Sequence, residues 1–270
     1  MTDTTAVSQE LMGIAETVAR EAGDLVRAAL GGSVTVAATK SSGVDLVTEV
    51  DQAAEALIRR RLAELRPDDG VLGEEEGWQA GSSGLVWVVD PIDGTTNFVY
   101  GLPGYSVSIA VARAEGEDPF SWELLAGAVH APATGQTWTA ARGGGAYADG
   151  ERLTVEASGE LATALVGTGF AYTADRRAGQ AQVLTAVLPE VRDIRRLGSA
   201  AMDLCLVAAG AMDVFFERYL NPWDMAAGAL VVTEAGGVVE RVGEGVEGLT
   251  VAGPAALVEQ LLAVVRPALR

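Results

Sequence analysis

Leu85-Val86-Trp87-Val88-Val89 is an unbroken apolar run that stops abruptly at Asp90-Pro91. A short run rich in β-branched residues and closed by proline reads as a buried strand. A strand of this kind has to be covered by other elements, and the flanking sequence offers them. Leu11, Ile14, Val18, Ala22, Leu25 and Ala29 recur at three- and four-residue spacing, which predicts an amphipathic helix ending at Gly31-Gly32. A second helix is predicted from Asp51 to Leu65, with Ala54, Leu57, Ile58, Leu62 and Leu65 on one face and Pro67 closing it. Thr48 precedes Asp51 at capping-box spacing. Tyr105 to Ala112 alternates as a strand, Leu124 to His130 follows as another, and Gly143-Gly144-Gly145 and Asp149-Gly150 mark hairpins. The first half thus reads as two helices against a mostly antiparallel sheet.

The second half alternates strands and helices at shorter range. Strands are predicted at Ala164-Leu165-Val166, at Val214 to Glu217 and at Val238-Val239. Helices are predicted from Ser199 to Ala209, from Asp224 to Ala235 before Gly236-Gly237, and after Pro254. That order predicts a layered α/β architecture. A soft boundary near Gly150 divides residues 1–150 from 151–270, with no flexible linker, so the expectation is one compact unit.

The formal charge is −18, from 37 acidic against 19 basic residues, which disfavours direct contact with nucleic acid. Met1 to Thr5 lacks the basic and apolar regions of a signal peptide, and Pro103 interrupts the uncharged run from Gly94 to Ala112. A cytoplasmic protein without a membrane span is expected. Cys205 and His130 are the only residues of their kinds. A multi-histidine zinc site is therefore excluded, and no nucleophile-elbow motif accompanies His130.

Chemistry concentrates in Asp90-Pro91-Ile92-Asp93-Gly94-Thr95-Thr96-Asn97-Phe98. Two carboxylates three residues apart end an apolar strand, and a glycine and hydroxyl residues follow that suit phosphate if a helix starts there. An isolated Asp-x-x-Asp is more simply an acidic turn capping a helix. Gly73-Glu74-Glu75-Glu76 lies upstream and Asn221-Pro222-Trp223-Asp224 downstream. Alone, the first is a solvated loop and the second a helix cap, although Asp224 can fill both roles. Together, three segments offer oxygen ligands, as a hard cation such as Mg²⁺ requires.

The aspartate-centred string, the upstream Gly-Glu-Glu, and Trp223-Asp224 followed by Ala226-Ala227-Gly228 and Glu234-Ala235-Gly236-Gly237 resemble the inositol monophosphatase family. The likeness runs from about Glu10 to Val251. It implies a five-layered αβαβα sandwich of the inositol monophosphatase and fructose bisphosphatase type, usually a homodimer, dependent on Mg²⁺ (two or three ions) and commonly inhibited by Li⁺. Carried over by residue, Glu74, Asp90 and the carbonyl of Ile92 match ligands of one metal, and Asp90, Asp93 and Asp224 those of a second. Thr95 pairs with Asp51 of Thr48-Glu49-Val50-Asp51, and this pair and Glu74 position and deprotonate the attacking water. Gly94 and Thr95 hold phosphate oxygens, and Lys40 matches a basic residue near the metals.

Asp93, Gly198, Ser199, Ala200 and Glu217 match the family's inositol-contacting positions. Glu217 stands seven residues before Asp224, as in inositol phosphatases, although a strand-end glutamate paired with Arg218 is the plainer reading. The expected reaction is hydrolysis of inositol-1-phosphate, a small phosphorylated polyol. Relatives act on histidinol phosphate, fructose-1,6-bisphosphate or 3′-phosphoadenosine phosphates, but nucleotide-acting ones carry lysine where Thr96 stands. A reading of another class, suggested by some members of the family, is a non-catalytic partner of the transcription machinery.

Overall fold

The computed structural model describes residues 4–30, 36–39, 46–156 and 159–269. In chain order the first half runs α1 (Thr4–Ala29), β1 (Val36–Thr39), β2 (Leu46–Thr48), α2 (Glu49–Leu65), β3 (Gly70–Gly73), β4 (Gly77–Gln79), β5 (Leu85–Asp93) and α3 (Thr95–Val99). It continues with β6 (Ser106–Arg113), β7 (Glu123–Ala131), β8 (Gln136–Ala141), β9 (Gly145–Ala148) and β10 (Glu151–Arg152). Next come β11 (Leu165–Thr168), α4 (Ala174–Val187), β12 (Asp193–Arg195), α5 (Ala200–Ala208), β13 (Val214–Arg218) and α6 (Pro222–Glu234). The last elements are β14 (Val238–Val242), β15 (Leu249–Gly253) and α7 (Ala255–Ala268).

An eight-stranded sheet has the order β10-β9-β8-β7-β6-β5-β3-β4, and a five-stranded sheet the order β12-β11-β13-β15-β14. The first is antiparallel throughout except where β3 runs parallel to β5. Helices α1 and α2 cover its outer face, α5 and α6 lie between the two sheets, and α4 and α7 cover the second sheet. These are the five layers expected. The middle core draws on both sheets, from Val86 and Trp138 to Phe215 and Ala252.

The layering explains where simple periodicity gives a different picture. β6 is buried along all but its last residue, where alternation would leave one face wet, because α1 covers one side and α6 the other. α5 and α6 are apolar nearly all round for the same reason. On α1 the fully buried stripe is Leu11, Ala15, Val18, Ala19, Ala22 and Val26, while Ile14, Leu25 and Ala29 lie half-buried at its margin. Trp87 can sit mid-strand in the core because its indole N–H donates to Asp69 (3.0 Å), whose carboxylate is held by Arg66 (2.9 Å).

His130 is a structural residue of β7. It is 6% exposed, its Nδ1 lies 2.8 Å from the Thr137 hydroxyl, and Arg20, Asp24, Arg27 and Asp149 surround it. Burial, aided by Arg20 and Arg27 against the opposing pull of Asp24 and Asp149, lowers its pKa from 6.5. The unfolded chain then binds the proton more readily, so the contribution of His130 is intact above pH 6.5 and is lost as pH falls through that value toward the folded pKa. His130→Asn, which keeps a polar group for Thr137, should therefore lose less stability than the wild type between about pH 7.5 and 5.5. Urea midpoints across that range measure this, and parallel curves for the two proteins would refute it.

Candidate active site

The site begins at an irregularity in β5. Asp90 stands opposite Ser108 of β6, and Asp93 opposite Ser106, so β5 carries one extra residue between them. In a regular strand, residues three apart face opposite sides. The extra residue restores the parity, and Asp90 and Asp93 both line one pocket. The Asp90 carboxylate accepts from the Ile92 N–H (3.0 Å), which fixes the bulge.

Glu74 reaches the same pocket because β3 runs parallel to β5, with Gly73 beside Val89. The Glu74 N–H donates to the Val89 carbonyl (3.3 Å), and the Glu74 and Asp90 carboxyl groups share a hydrogen bond. Asp224 arrives from the middle layer. It is the third residue of α6, after Pro222, and its Oδ2 accepts from the Asn221 N–H (2.6 Å). Asp93 Oδ2 accepts from the Ser199 hydroxyl (2.7 Å) and from the Ala201 N–H (2.8 Å) at the start of α5.

Electrostatically, these acids raise one another. Burial pushes Asp90 well above the usual carboxylate range, and the charges of Glu74, Asp93 and Asp224 push it further. Asp224 is raised by burial and then by Asp93 and Glu74. Burial lifts Asp93 to about 7 even though Ser199, the Ala201 N–H and Arg196 favour its anion. Among the described residues no three acid, cysteine or histidine side chains already close into a finished ligand set.

Beside this cluster, Thr95 Oγ1 lies 3.1 Å from Asp51 Oδ1 and 3.0 Å from the Ile92 carbonyl oxygen, with both acceptors in reach of its hydrogen. Asp51 is wholly buried at the start of α2, where its other oxygen accepts from the Thr48 N–H (2.8 Å) and the Thr48 hydroxyl in a complete capping box. The expected pairing of Thr95 with Asp51 is thus present, across 44 residues. Gly94 has φ of 98°, and a Cβ there would lie 2.7 Å from the Gly104 carbonyl and 3.0 Å from that of Gly198. Only glycine lets α3 start where the two loops meet.

The same pocket is lined by Gly198, Ser199, Ala200 and Glu217. Ser199 is fully buried, and its hydroxyl is committed to Asp93 and to capping α5. Arg218 does not pair with Glu217. Its guanidinium donates to the Glu247 carbonyl (3.3 and 3.2 Å), and the Glu217 side chain lines the pocket. Room for it comes from Gly169, where a Cβ would stand 2.2 Å from a Glu217 carboxylate oxygen. Lys40 lies outside the described residues. The cavity enclosed by these walls is about 350 Å³, enough for a small phosphate ester.

Two contributors were given no role by the sequence, although Asn97 lies within the aspartate-centred string. Asn97 Nδ2 donates to the carbonyls of Gly104 and Leu197 (both 2.6 Å), tying the loop after α3 to the one before α5. Glu55 is fully buried and accepts the N–H groups of Glu75 (2.8 Å) and Glu76 (3.0 Å), so it holds the loop that carries Glu74. Arg59 neutralises it at 2.8 Å. The available signal was an acid one turn after Asp51 and one turn before Arg59 on the apolar side of a helix.

A parallel strand pair and a bulged strand that deliver acids beneath a helix N-terminus define a carboxylate-rich hydrolytic pocket. The inositol monophosphatase family profile matches residues 8–268, and the chain belongs to that family, a family of phosphatases. It is 45% identical over 280 residues to the inositol-1-monophosphatase of Mycobacterium leprae, covering 94% of this chain and 93% of that protein. It is 39% identical over 237 residues to the Nus factor SuhB of Pseudomonas aeruginosa, covering 86% and 85%. The solved structure of Mycobacterium tuberculosis SuhB superposes with a TM-score of 0.81 at 41% identity, covering 97% of this chain and 98% of that one.

Glu55→Gln should release the 74–76 loop without unfolding α2, since the amide keeps the size but weakens two charge-assisted bonds. The Glu75 and Glu76 amides should exchange with solvent at least about tenfold faster. Unchanged protection would show that Glu55 does not hold this loop.

Proposed function

We propose that the chain is a Mg²⁺-dependent phosphomonoesterase that converts inositol-1-phosphate to inositol and phosphate. The observation that carries the reading is the convergence of Glu74, Asp90, Asp93 and Asp224 on one pocket beside the Thr95–Asp51 pair. In this reading Glu74, Asp90 and the Ile92 carbonyl hold one ion, and Asp90, Asp93 and Asp224 hold a second. The donor set suits the ion: oxygen ligands come from separate chain segments, and burial makes their uncompensated charge costly, which a hard cation relieves. When bound, Mg²⁺ neutralises phosphoryl oxygens and makes water easier to ionise.

The protein's own groups do the positioning. The Thr95 hydroxyl has one hydrogen, and Asp51 and the Ile92 carbonyl both compete for it. Its lone pairs are left to accept a hydrogen from the attacking water. As the water oxygen bonds to phosphorus, the water's proton passes to Thr95 and the Thr95 proton to the Asp51 carboxylate. The P–O bond to the polyol breaks, and the departing oxygen takes a proton from solvent. Gly94 and Thr95 N–H groups hold phosphate oxygens, and Glu217 accepts a hydroxyl of the leaving polyol. Support for inositol phosphate as substrate comes from the Glu217 position, from Thr96 in place of a lysine, and from the activity for which the Mycobacterium leprae relative is named.

The test is phosphate release from inositol-1-phosphate, histidinol phosphate, fructose-1,6-bisphosphate and a 3′-phosphoadenosine phosphate, with Mg²⁺ and with EDTA. Highest kcat/KM on inositol-1-phosphate, abolished by EDTA, is expected. Faster turnover of another ester would replace the substrate. No release from any would favour the non-catalytic role that relatives named Nus factor suggest.

Mg²⁺ should also stabilise the fold by relieving carboxylate repulsion, by about 2.7 kcal/mol at a hundred times its Kd. A Tm that EDTA does not lower would contradict the ligand assignment. Thr95→Ala keeps the backbone donor and removes the hydroxyl, so it should reduce kcat at least about tenfold with little change in KM. An effect confined to KM would mean that the hydroxyl only helps to hold substrate.

A further inference from the structure

Asp203, on α5, shares the pocket wall with Glu217. It is 1% exposed, and its Oδ1 has no hydrogen-bond partner among the described residues. A buried carboxylate oxygen without a donor is expensive, and native proteins seldom leave one so unless a proton, a water, an ion or a ligand supplies the missing group. The other acids of the pocket show the contrast. Asp93 is fed by Ser199 and the Ala201 N–H, Asp224 by the Asn221 N–H, and Asp90 by the Ile92 N–H. Neither Asp203 nor Glu217 receives a protein donor among the described residues. The charge of Asp203 bears on Glu217, that of Asp93 bears on both, and the one favourable charge near both is Arg196.

Two carboxyl groups that line one cavity, with Glu217 within reach of the charge of Asp203 and neither receiving a protein donor among the described residues, call for a ligand that brings several donors at once. Neighbouring hydroxyl groups do so without bringing net charge. A lone phosphate would be repelled, and an aryl or alkyl group would leave both carboxylates unpaired. We propose that Asp203 is a further specificity-determining residue, which together with Glu217 forms a pair of acceptors for adjacent hydroxyls of a polyol phosphate. The inference rests on the phosphomonoesterase reading and extends it to the half of the substrate that carries no phosphate.

The decisive quantity is the preference for inositol-1-phosphate over cyclohexyl phosphate, which has the same ring size and no hydroxyl, measured as a ratio of kcat/KM values with saturating Mg²⁺. Asp203→Asn should reduce that ratio roughly tenfold to a hundredfold, as loss of a charged acceptor predicts, and leave cyclohexyl phosphate within about threefold of wild type. Its Tm should be equal or higher, because the variant removes an unpaired buried charge. Asp203→Ser gives the same comparison should the amide not be accommodated. In the double variant with Glu217→Gln, the combined loss should be smaller than the product of the single losses, because the two act on one diol.

A preserved ratio in Asp203→Asn overturns the proposal and leaves the inositol phosphate reading standing. Equal losses on both substrates with a lowered Tm make Asp203 a structural residue. Equal losses with a shifted Mg²⁺ requirement make it part of a cation site. If the wild type instead prefers another polyol phosphate over cyclohexyl phosphate, and Asp203→Asn abolishes that preference, the acceptor pair stands and the inositol assignment falls. A wild type indifferent to hydroxyl groups overturns both.

Discussion

Repulsion among buried carboxylates governs this structure. Two unit charges about 4 Å apart repel by about 4 kcal/mol at an effective dielectric of about 20, and the pocket assembles Glu74, Asp90, Asp93 and Asp224 on one wall. Few scaffolds of marginal stability tolerate that, since whole domains hold only about 5–15 kcal/mol in reserve. Here the load falls where packing is densest. Asp90 and Asp93 end β5, whose preceding residues Val86 to Val89 are buried between α1–α2 and α5–α6. Asp224 begins α6, which is itself enclosed by two sheets. The layers fix the backbone, and the acids have no route to move apart except by taking protons or a cation.

Several of these acids also use one oxygen for structure. Asp51 completes the cap of α2, Asp224 the start of α6, Asp90 the bulge of β5, and Asp93 the junction with α5. Such double use gives the site its rigidity, since moving any carboxylate would also undo a helix start or a strand bend. It also links the two sheets. Asp93 comes from the first half and its donors, Ser199 and Ala201, from the second, while Asn97 bridges the adjoining loops. The wall that bears the charges is therefore assembled only when both halves are in place.

How much of this was legible follows from the kind of signal each residue leaves. Asp90, Asp93, Glu74 and Asp224 stand out because an acid at the edge of an apolar run is costly to bury unless it caps a helix or meets a cation, and the pocket does gather them. The bulge left no mark beyond Pro91, for a strand's extra residue is decided by its register with the partner strand, which neither strand's own sequence states. Glu55 was hidden because its partners are backbone N–H groups of the 74–76 loop, which no side-chain pattern reveals. α4 went unread because its one covered edge buries only Gln180, Val183 and Val187, too sparse for a helical stripe. Asp203 gave a fainter clue, a lone acid in the otherwise apolar helix from Ala200 to Ala208. Such a residue reads as a packing fault until the cavity beside it is seen.

The chain's overall charge then takes on a local meaning. A net −18 should repel an anionic ester, and the buried acids of the pocket would repel it most. Around the pocket, however, stand Arg176, Arg196 and Arg218, three of only 19 basic residues in the chain. Arg176 and Arg218 lie over the Tyr219 ring at 4.5 and 4.8 Å from its centroid, and Arg218 is also tied to the Glu247 carbonyl, so neither is a loose surface side chain. Arg196 lowers the cost of the anions at Asp93, Asp203 and Glu217. The same pocket is thus lined by both signs of charge, and its acids oppose the approach of a phosphate. In the proposed reading, a cation held by Glu74, Asp90, Asp93 and Asp224 would reverse the sign of that field, and the carboxylates that repel the phosphate would then frame it.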